Sequence, residues 1–408
     1  MKKKIGVMMI GAKGSVATTL LAAQAAKRQG LKIQFLVPSD AEPSYQELGL
    51  IEQEDIAYGG WDIVPDSFSD SCATHRVVPP HILPEISILM DEARSYPAIL
   101  VERDQAIDEL LASEKVPARM KDIEYSTTIF SKRPLNELVQ SLTYDIEDFR
   151  KWNDIEEMIV VNIASTEPPA QLGEVHQTLD VFEKGLNDNA PNISTGMIYA
   201  YAAFKNHCHF INFTPSICAD VPALEAYAVK QKVLSAGKDG KTGQTLYKTV
   251  LAPMLKYRGL KLTGWYSTNI LGNRDGQILN HPEHAASKIE SKKAVLSSIM
   301  GYDDFDHQVH IHYYRPRGDS KEAWDNVDFR GWFDVPMQMK INWLGDDSIL
   351  ASPLMFDLIR WVHFFSSKGE IGVLPQLSSY FKSPLGTKEC DFFKQLDMLR
   401  QHVAKHYL

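Results

Sequence analysis

The order strand, glycine turn, small-residue helix at the start of the chain constrains the fold more than any other feature. Residues 4–10 form a short apolar run, Gly11-Ala-Lys-Gly14 supplies a turn, and Ser15 to Ala26 has the small apolar texture of a helix. A second apolar run, residues 32–37, follows at the distance expected of a βαβ unit and ends in Pro38-Ser39-Asp40. This predicts a parallel sheet, with Asp40 placed either to meet ribose hydroxyls or as a solvated turn residue.

Further strand-like runs at residues 158–163 and 209–213 end in Ala164-Ser-Thr-Glu-Pro-Pro and Thr214-Pro-Ser, small polar tails of the kind found at the ligand-facing edge of such sheets. Residues 80–150 read as charged helices packed on or beside the sheet. From Gln244 the texture turns to alternating aromatic and polar residues, as in His307-Gln-Val-His-Ile-His-Tyr-Tyr314, which predicts a mostly β insert. Ser348 to Phe365 reads as a helix capped by Asp347 or Ser348, with Pro353 near its start. The expected organisation is a first segment of a dinucleotide-binding domain over 1–245, an α+β insert over 246–345 and a return to the first domain over 346–408.

At 408 residues, two or three lobes are expected. Charged residues at 23% and apolar residues at 44% fit a globular chain, and no apolar run is long enough to cross a bilayer, so a cytoplasmic protein without a membrane partner is expected. The net charge of −9, with 43 basic residues scattered along the chain, offers nucleic acid no landing surface. Any phosphate bound should be small. Cys72, Cys208, Cys218 and Cys390 form no CxxC pair, and His307, His310 and His312 lack the partners of a zinc set, so both groups read as structural.

Three loops carry the chemistry. Gly11, Gly14 and Ala17 give GxxGxxA, where the usual dinucleotide fingerprint would place glycines at 11, 13 and 16; a bare tight turn has the same pattern. Gly237-Lys-Asp-Gly-Lys-Thr-Gly-Gln-Thr245 precedes an amphipathic helix and offers hydroxyls, amides and lysines to a monophosphate, or simply caps that helix. It lacks the spacing of a nucleoside triphosphate loop. Ser267-Thr-Asn-Ile-Leu-Gly-Asn-Arg-Asp-Gly276 is followed by Lys288 and Lys292, whose spacing on a helix puts two ammonium groups on one face, toward an anion or toward solvent. Gly318-Asp-Ser-Lys321, Gly345-Asp-Asp-Ser348 and Ser379-Tyr-Phe-Lys-Ser-Pro384 add acid and lysine clusters, with Lys382 beside aromatics.

In this order and spacing, the segments resemble the inositol-1-phosphate synthase family. Residues 237–245 look like its phosphate loop, residues 267–276 like its SYNHLGNNDG motif, and the intervals of thirteen and seventeen residues from Asp275 to Lys288 and Lys292 agree with the family pattern. The resemblance implies an α/β fold: a Rossmann-like, doubly wound NAD-binding domain with an inserted α+β domain for catalysis and oligomerisation. It implies that Thr242, Gly243, Gln244, Thr245, Leu271, Asn273 and Lys292 surround a substrate phosphate, and that Lys288, Lys321 and Lys382, with Asp319, line the reacting sugar. NAD contacts would fall on Gly11, Ala12, Lys13, Gly14, Ser15, Asp62, Ala164, Ser165, Thr166, Asp239, Asp275 and Asp347. The implied cofactors are NAD and a monovalent or divalent cation, the implied substrate is glucose 6-phosphate, and the implied assembly is a homotetramer.

Two segments depart from the family. The turn reads GAKGSVA where eukaryotic members have a GWGGNNG-like sequence, and Ser165-Thr-Glu-Pro168 replaces their NTER. The implied reaction oxidises glucose 6-phosphate at C5, enolises it, closes the ring by an aldol step and reduces C5 again. A cyclase for another sugar phosphate, a plain NAD(P)-dependent dehydrogenase and a non-catalytic NAD-binding scaffold are the alternatives.

Overall fold

A computed structural model describes residues 5–101, 133–272, 295–318 and 320–408. The chain divides into two compact units: residues 1–240, 352–375 and 383–386 form the first, and residues 241–351, 376–382 and 387–408 the second.

The first unit is built on a seven-stranded sheet. Its strands are β1 (Ile5–Ile10), β2 (Ile56–Asp62), β3 (Arg94–Pro97), β4 (Met158–Asn162), β5 (His209–Asn212), β6 (Leu234–Gly237) and β11 (Gly372–Val373). All pair in parallel, in the order β11-β6-β5-β4-β1-β2-β3. This is the doubly wound arrangement, and the winding reverses between β1 and β4. Every residue of β1 and β4 is buried, as expected of central parallel strands covered on both faces.

Among the described residues, the helices of this unit include α1 (Ser15–Arg28), α2 (Phe68–His75), α3 (Leu83–Met90), α4 (Leu135–Asn153), α5 (Leu179–Asn187), α6 (Thr195–Lys205) and α7 (Pro222–Lys230). Leu135, Leu138, Val139, Leu142, Ile146 and Phe149 give α4 one buried stripe at helical spacing. Ser194 accepts the Met197 N–H and so caps α6, which is buried over nearly its whole length.

The expected strand at residues 32–37 does not form: Ile33 and Leu36 are exposed, and the place beside β1 belongs to Ile56–Asp62. Gly60 makes that pairing close. It sits at φ +148, and a Cβ there would stand 2.0 Å from the Met9 carbonyl oxygen. Asp62, rather than Asp40, therefore ends the second strand.

The second unit holds a four-stranded sheet in the order β10-β9-β7-β8. β7 (Lys261–Leu271) and β8 (Asp306–Tyr313) run parallel, whereas β9 (Ser320–Arg330) is antiparallel to both β7 and β10 (Pro336–Asp346). Ala252 and Leu255 of α8 (Gln244–Tyr257) pack on Leu262, Trp265, Val327 and Phe329 from the inner face of the sheet. The outer face carries exposed Tyr266, Trp324 and Leu344.

Beyond β10, α9 (Asp347–Ser367) begins in the second unit, and from Ser352 its residues belong to the first, where the Ser352 hydroxyl donates to the Val16 carbonyl. The expectation that all of 346–408 returns to the first unit needs correction. The last helix, α10 (Phe392–His406), groups with the second unit, because Gln395 reaches Lys241 there.

Candidate active site

In the first unit, Gly11–Ser15, Asp62 and Ala164–Thr166, expected to hold NAD, follow β1 and its two neighbours β2 and β4, where the sheet winding reverses. Gly11 follows β1 at φ +86, and a Cβ on it would lie 2.9 Å from the Ala164 Cα after β4, so no side chain fits between the two loops. The N–H groups of Gly11 and Ala12 donate to the Trp61 carbonyl, and the Gly14 N–H closes back on Gly11. Helix α1 then starts at Ser15 with Gly14 as its cap residue and no side chain accepting from its first amides. Those amides offer donors and the positive end of the helix dipole to an anion.

Asp62 fixes the turn from below. Its two oxygens accept the Lys13 N–H at 2.7 Å and the Val64 N–H at 2.9 Å. Burial raises the pKa of its carboxyl, and the backbone donors with the Lys13 ammonium partly offset that rise. The Lys13 side chain turns away from solvent, donates to the Val64 carbonyl and lies over Phe68; burial lowers its pKa. Ser165 and Thr166 are exposed after β4, and Asp239 lies after β6, two strands from β4, with φ +63 and its N–H on the Thr214 carbonyl. Glu167, which the sequence reading passed over, accepts the Gly196 N–H at 2.6 Å in the first turn of α6.

In the second unit, Thr242, Gly243, Gln244 and Thr245 form the entry to α8, and Gly243 is its cap residue. The Thr242 hydroxyl donates to Asp347 Oδ1 at 2.9 Å, and Lys321 Nζ stands 3.9 Å from Asp347 Oδ2. A Cβ on Gly243 would lie 3.7 Å from Lys321 Nζ, so the ammonium passes directly beside the loop. Leu271, at the end of β7, is opposite Lys321 in the sheet register. Asp347, expected to touch the cofactor, is thus grouped with Thr242 and Lys321 in the second unit.

The segment carrying Lys382 is held to the same loop, since the Lys241 N–H donates to the Tyr380 carbonyl. Lys241 itself was missed as a site residue. It is buried, donates to Gln395 Oε1 at 2.5 Å and lies over Phe392. Burial lowers its pKa to about 8; Cys390 opposes this and the Lys382 charge adds to it. Lys248 follows Gln244 by one helical turn on the buried face of α8, where its ammonium meets His307 and Trp265. Asn273, Asp275, Lys288, Lys292 and Asp319 lie outside the described residues. Among the described residues, no group of three or more His, Cys, Asp and Glu side chains could hold a metal ion.

Residues 37–404 match the family model described as myo-inositol-1-phosphate synthase, whose designation is that of an NAD-binding family. Inositol-3-phosphate synthase 1 of Bacteroides thetaiotaomicron is 37% identical, over 98% of this chain and 94% of its own. The chain belongs to the myo-inositol-1-phosphate synthase family.

Other members are more distant. Inositol-3-phosphate synthase 1-A of Xenopus laevis is 28% identical over 87% of this chain and 66% of its own length. The crystal structure of inositol-3-phosphate synthase from Caenorhabditis elegans matches with a TM-score of 0.83 at 23% identity, over 98% of this chain and 85% of that one. A myo-inositol-1-phosphate synthase-related protein from Thermotoga maritima matches with a TM-score of 0.77 at 21% identity, over 98% of each chain. These two structures speak for the shared fold, which is the Rossmann-like α/β domain with its accompanying α+β unit.

Proposed function

We propose that this chain converts D-glucose 6-phosphate to 1D-myo-inositol 3-phosphate in an NAD-dependent, redox-neutral cyclisation. The single observation that carries the reading is the grouping of Thr242, Gly243, Lys321 and Asp347 at the entry to α8, in a chain of this family. The turn at Gly11 fits a dinucleotide pyrophosphate, because it excludes side chains and leaves the first amides of α1 without a side-chain cap. Held at that turn by the Gly11–Ser15 segment, NAD would supply the hydride acceptor for oxidation at C5 and the hydride donor for its later reduction.

The chain's own residues do the rest. The amides and hydroxyls of residues 242–245 hold the phosphate, together with Leu271, Asn273 and Lys292. A ketone at C5 acidifies C6, whose proton passes to the substrate's own phosphate or to a lysine, and the resulting enolate attacks the C1 aldehyde, whose oxygen takes up a proton from a lysine ammonium. The Lys321 ammonium, steadied by Asp347, stabilises negative charge on the oxygens of the aldol centre, and Lys382 does the same from the Ser379–Ser383 segment. Lys288 serves the C5 oxygen, and Asp319 tunes a neighbouring lysine. Asp62 and the Ala164–Thr166 loop orient the cofactor, joined by Asp239 and Asp275.

A homotetramer and a cytoplasmic location complete the proposal. Exposed Tyr266, Trp324 and Leu344 on the outer face of the second sheet support self-association, and no helix among the described residues is long and apolar enough to cross a membrane. A monovalent or divalent cation is the remaining cofactor expectation, tested by activity after chelation and after exchange of monovalent salts. The deciding experiment incubates the protein with glucose 6-phosphate and catalytic NAD, following inositol phosphate by NMR and NADH by absorbance. Inositol phosphate without accumulating NADH supports the cyclase; stoichiometric NADH refutes it in favour of a dehydrogenase.

A further inference from the structure

Asp325 lies in β9 beneath the phosphate loop, only 3% exposed, and four side-chain donors converge on it. Oδ1 accepts Trp265 Nε1 at 2.6 Å and the Ser267 hydroxyl at 2.5 Å. Oδ2 accepts Gln244 Nε2 at 2.9 Å and the Tyr247 hydroxyl. An ionised carboxylate has about four acceptor sites, so this set satisfies it while the charge strengthens each bond. Lys248, one turn along α8 from Gln244, contributes an attractive charge from within the same core.

Gln244 is the link to the site. Its Nε2 is held by Asp325, and its Oε1 accepts Asn269 Nδ2 at 2.9 Å from the neighbouring strand. The side chain is therefore occupied at both ends, and the residue faces an incoming anion through its backbone at the first position of α8. Tyr247 contacts the same carboxylate from the same helix but is three residues further from the loop.

We propose that Asp325 is a positioning residue for the substrate phosphate: through the Gln244 side chain it holds the N-terminus of α8, and with it Thr242–Thr245, in the geometry that receives the anion. This rests on the function proposed above. The carboxylate does not touch substrate; it acts by fixing the direction of the loop amides, as preorganised donors require.

The test compares Asp325→Asn, Gln244→Met and their double variant with Tyr247→Phe. Asp325→Asn and Gln244→Met should each raise KM for glucose 6-phosphate by about ten- to a hundredfold, the scale of one charge-assisted hydrogen bond, with a smaller change in kcat. The double variant should be no worse than the worse single, because both act through one link. Tyr247→Phe should lower thermal stability and leave that KM unchanged. An unaltered KM in Asp325→Asn, additive effects in the double variant, or an equal KM rise in Tyr247→Phe overturns the proposal.

If Asp325→Asn does not fold, Gln244→Met decides: a tenfold rise in KM upholds the link and an unchanged KM refutes it. Wild-type turnover separates the two hypotheses. Should the wild type make no inositol phosphate, the proposed function fails, and calorimetric titration with inorganic phosphate takes over as the readout. Phosphate binding that weakens in Asp325→Asn but not in Tyr247→Phe then upholds the positioning role, and absence of phosphate binding to the wild type overturns it.

Discussion

Replacing Lys248 by Met should make this protein more stable. Lys248 is 1% exposed, with Nζ 2.9 Å from His307 Nε2 and over the Trp265 ring. Burial lowers its pKa from 10.5 to about 8, and the attraction of Asp325 recovers only part of that. Each pKa unit corresponds to about 1.4 kcal/mol, so keeping the ammonium charged inside the fold costs roughly 3 kcal/mol at neutral pH. Met matches the length of the side chain and removes the charge, at the loss of one hydrogen bond to His307 worth about 1 kcal/mol. A net gain of about 2 kcal/mol at pH 7 follows.

The sign of the pH dependence is fixed by the direction of the shift. Between about pH 8 and the ordinary lysine value the unfolded chain holds a proton that the folded chain has released, so the wild type gains stability as pH rises through that window. The Met variant lacks this gain. Urea unfolding followed by tryptophan fluorescence at pH 7 and pH 10 measures both effects, the comparison between variants cancelling the other groups that titrate. A Met variant less stable than wild type at pH 7, or a difference between the two that does not shrink at pH 10, would refute the reasoning.

Three further outcomes are expected. Glu157 is held at about 2: burial alone would raise its pKa, but hydrogen bonds from His209 and His363 outweigh it, so its stabilisation is present above about pH 4.5 and lost as pH falls toward 2. Glu157→Gln should therefore cost about 2 kcal/mol at pH 7, discounted for partial exposure, with the difference from wild type closing in acid unfolding titrations. Gly60→Ala meets the Met9 carbonyl and should destabilise the first unit by roughly 3 kcal/mol or more, seen as a lower urea midpoint or insoluble protein. Asp62→Asn presents an amide to backbone donors of the Gly11 turn and should weaken NAD binding by about tenfold in fluorescence titrations while leaving KM for glucose 6-phosphate unchanged.

What could be read from the sequence depended on whether side chains carried the signal. β1, the turn and α1 were legible because the apolar run, the glycines and the small residues all point to one arrangement. β2 was not, since its central Gly59-Gly60 has no side chains to show a pattern, whereas the exposed run at 32–37 has apolar residues and forms no strand. The entry to α8 was visible in Thr242–Thr245 because glycine and hydroxyl residues crowd there. Lys248 lay within reach of the 3.6-residue period, as its neighbours on the buried face are Gln244, Thr245, Thr249 and Ala252. Asp325 did not, for an acid in an alternating strand looks the same whether it faces water or four converging donors from two other elements, α8 and β7.

The second unit is assembled from 241–351, 376–382 and 387–408, and Lys241 in the loop that enters α8 is tied to Gln395 on the last helix. During translation, the loop is made about 150 residues before the helix that anchors it. A nascent chain can thus carry every loop amide and most of the lysines and still leave Lys241 without its tether. A stop codon ahead of Gln395 should therefore keep all seven strands of the first sheet in the polypeptide and remove the helix that tethers Lys241.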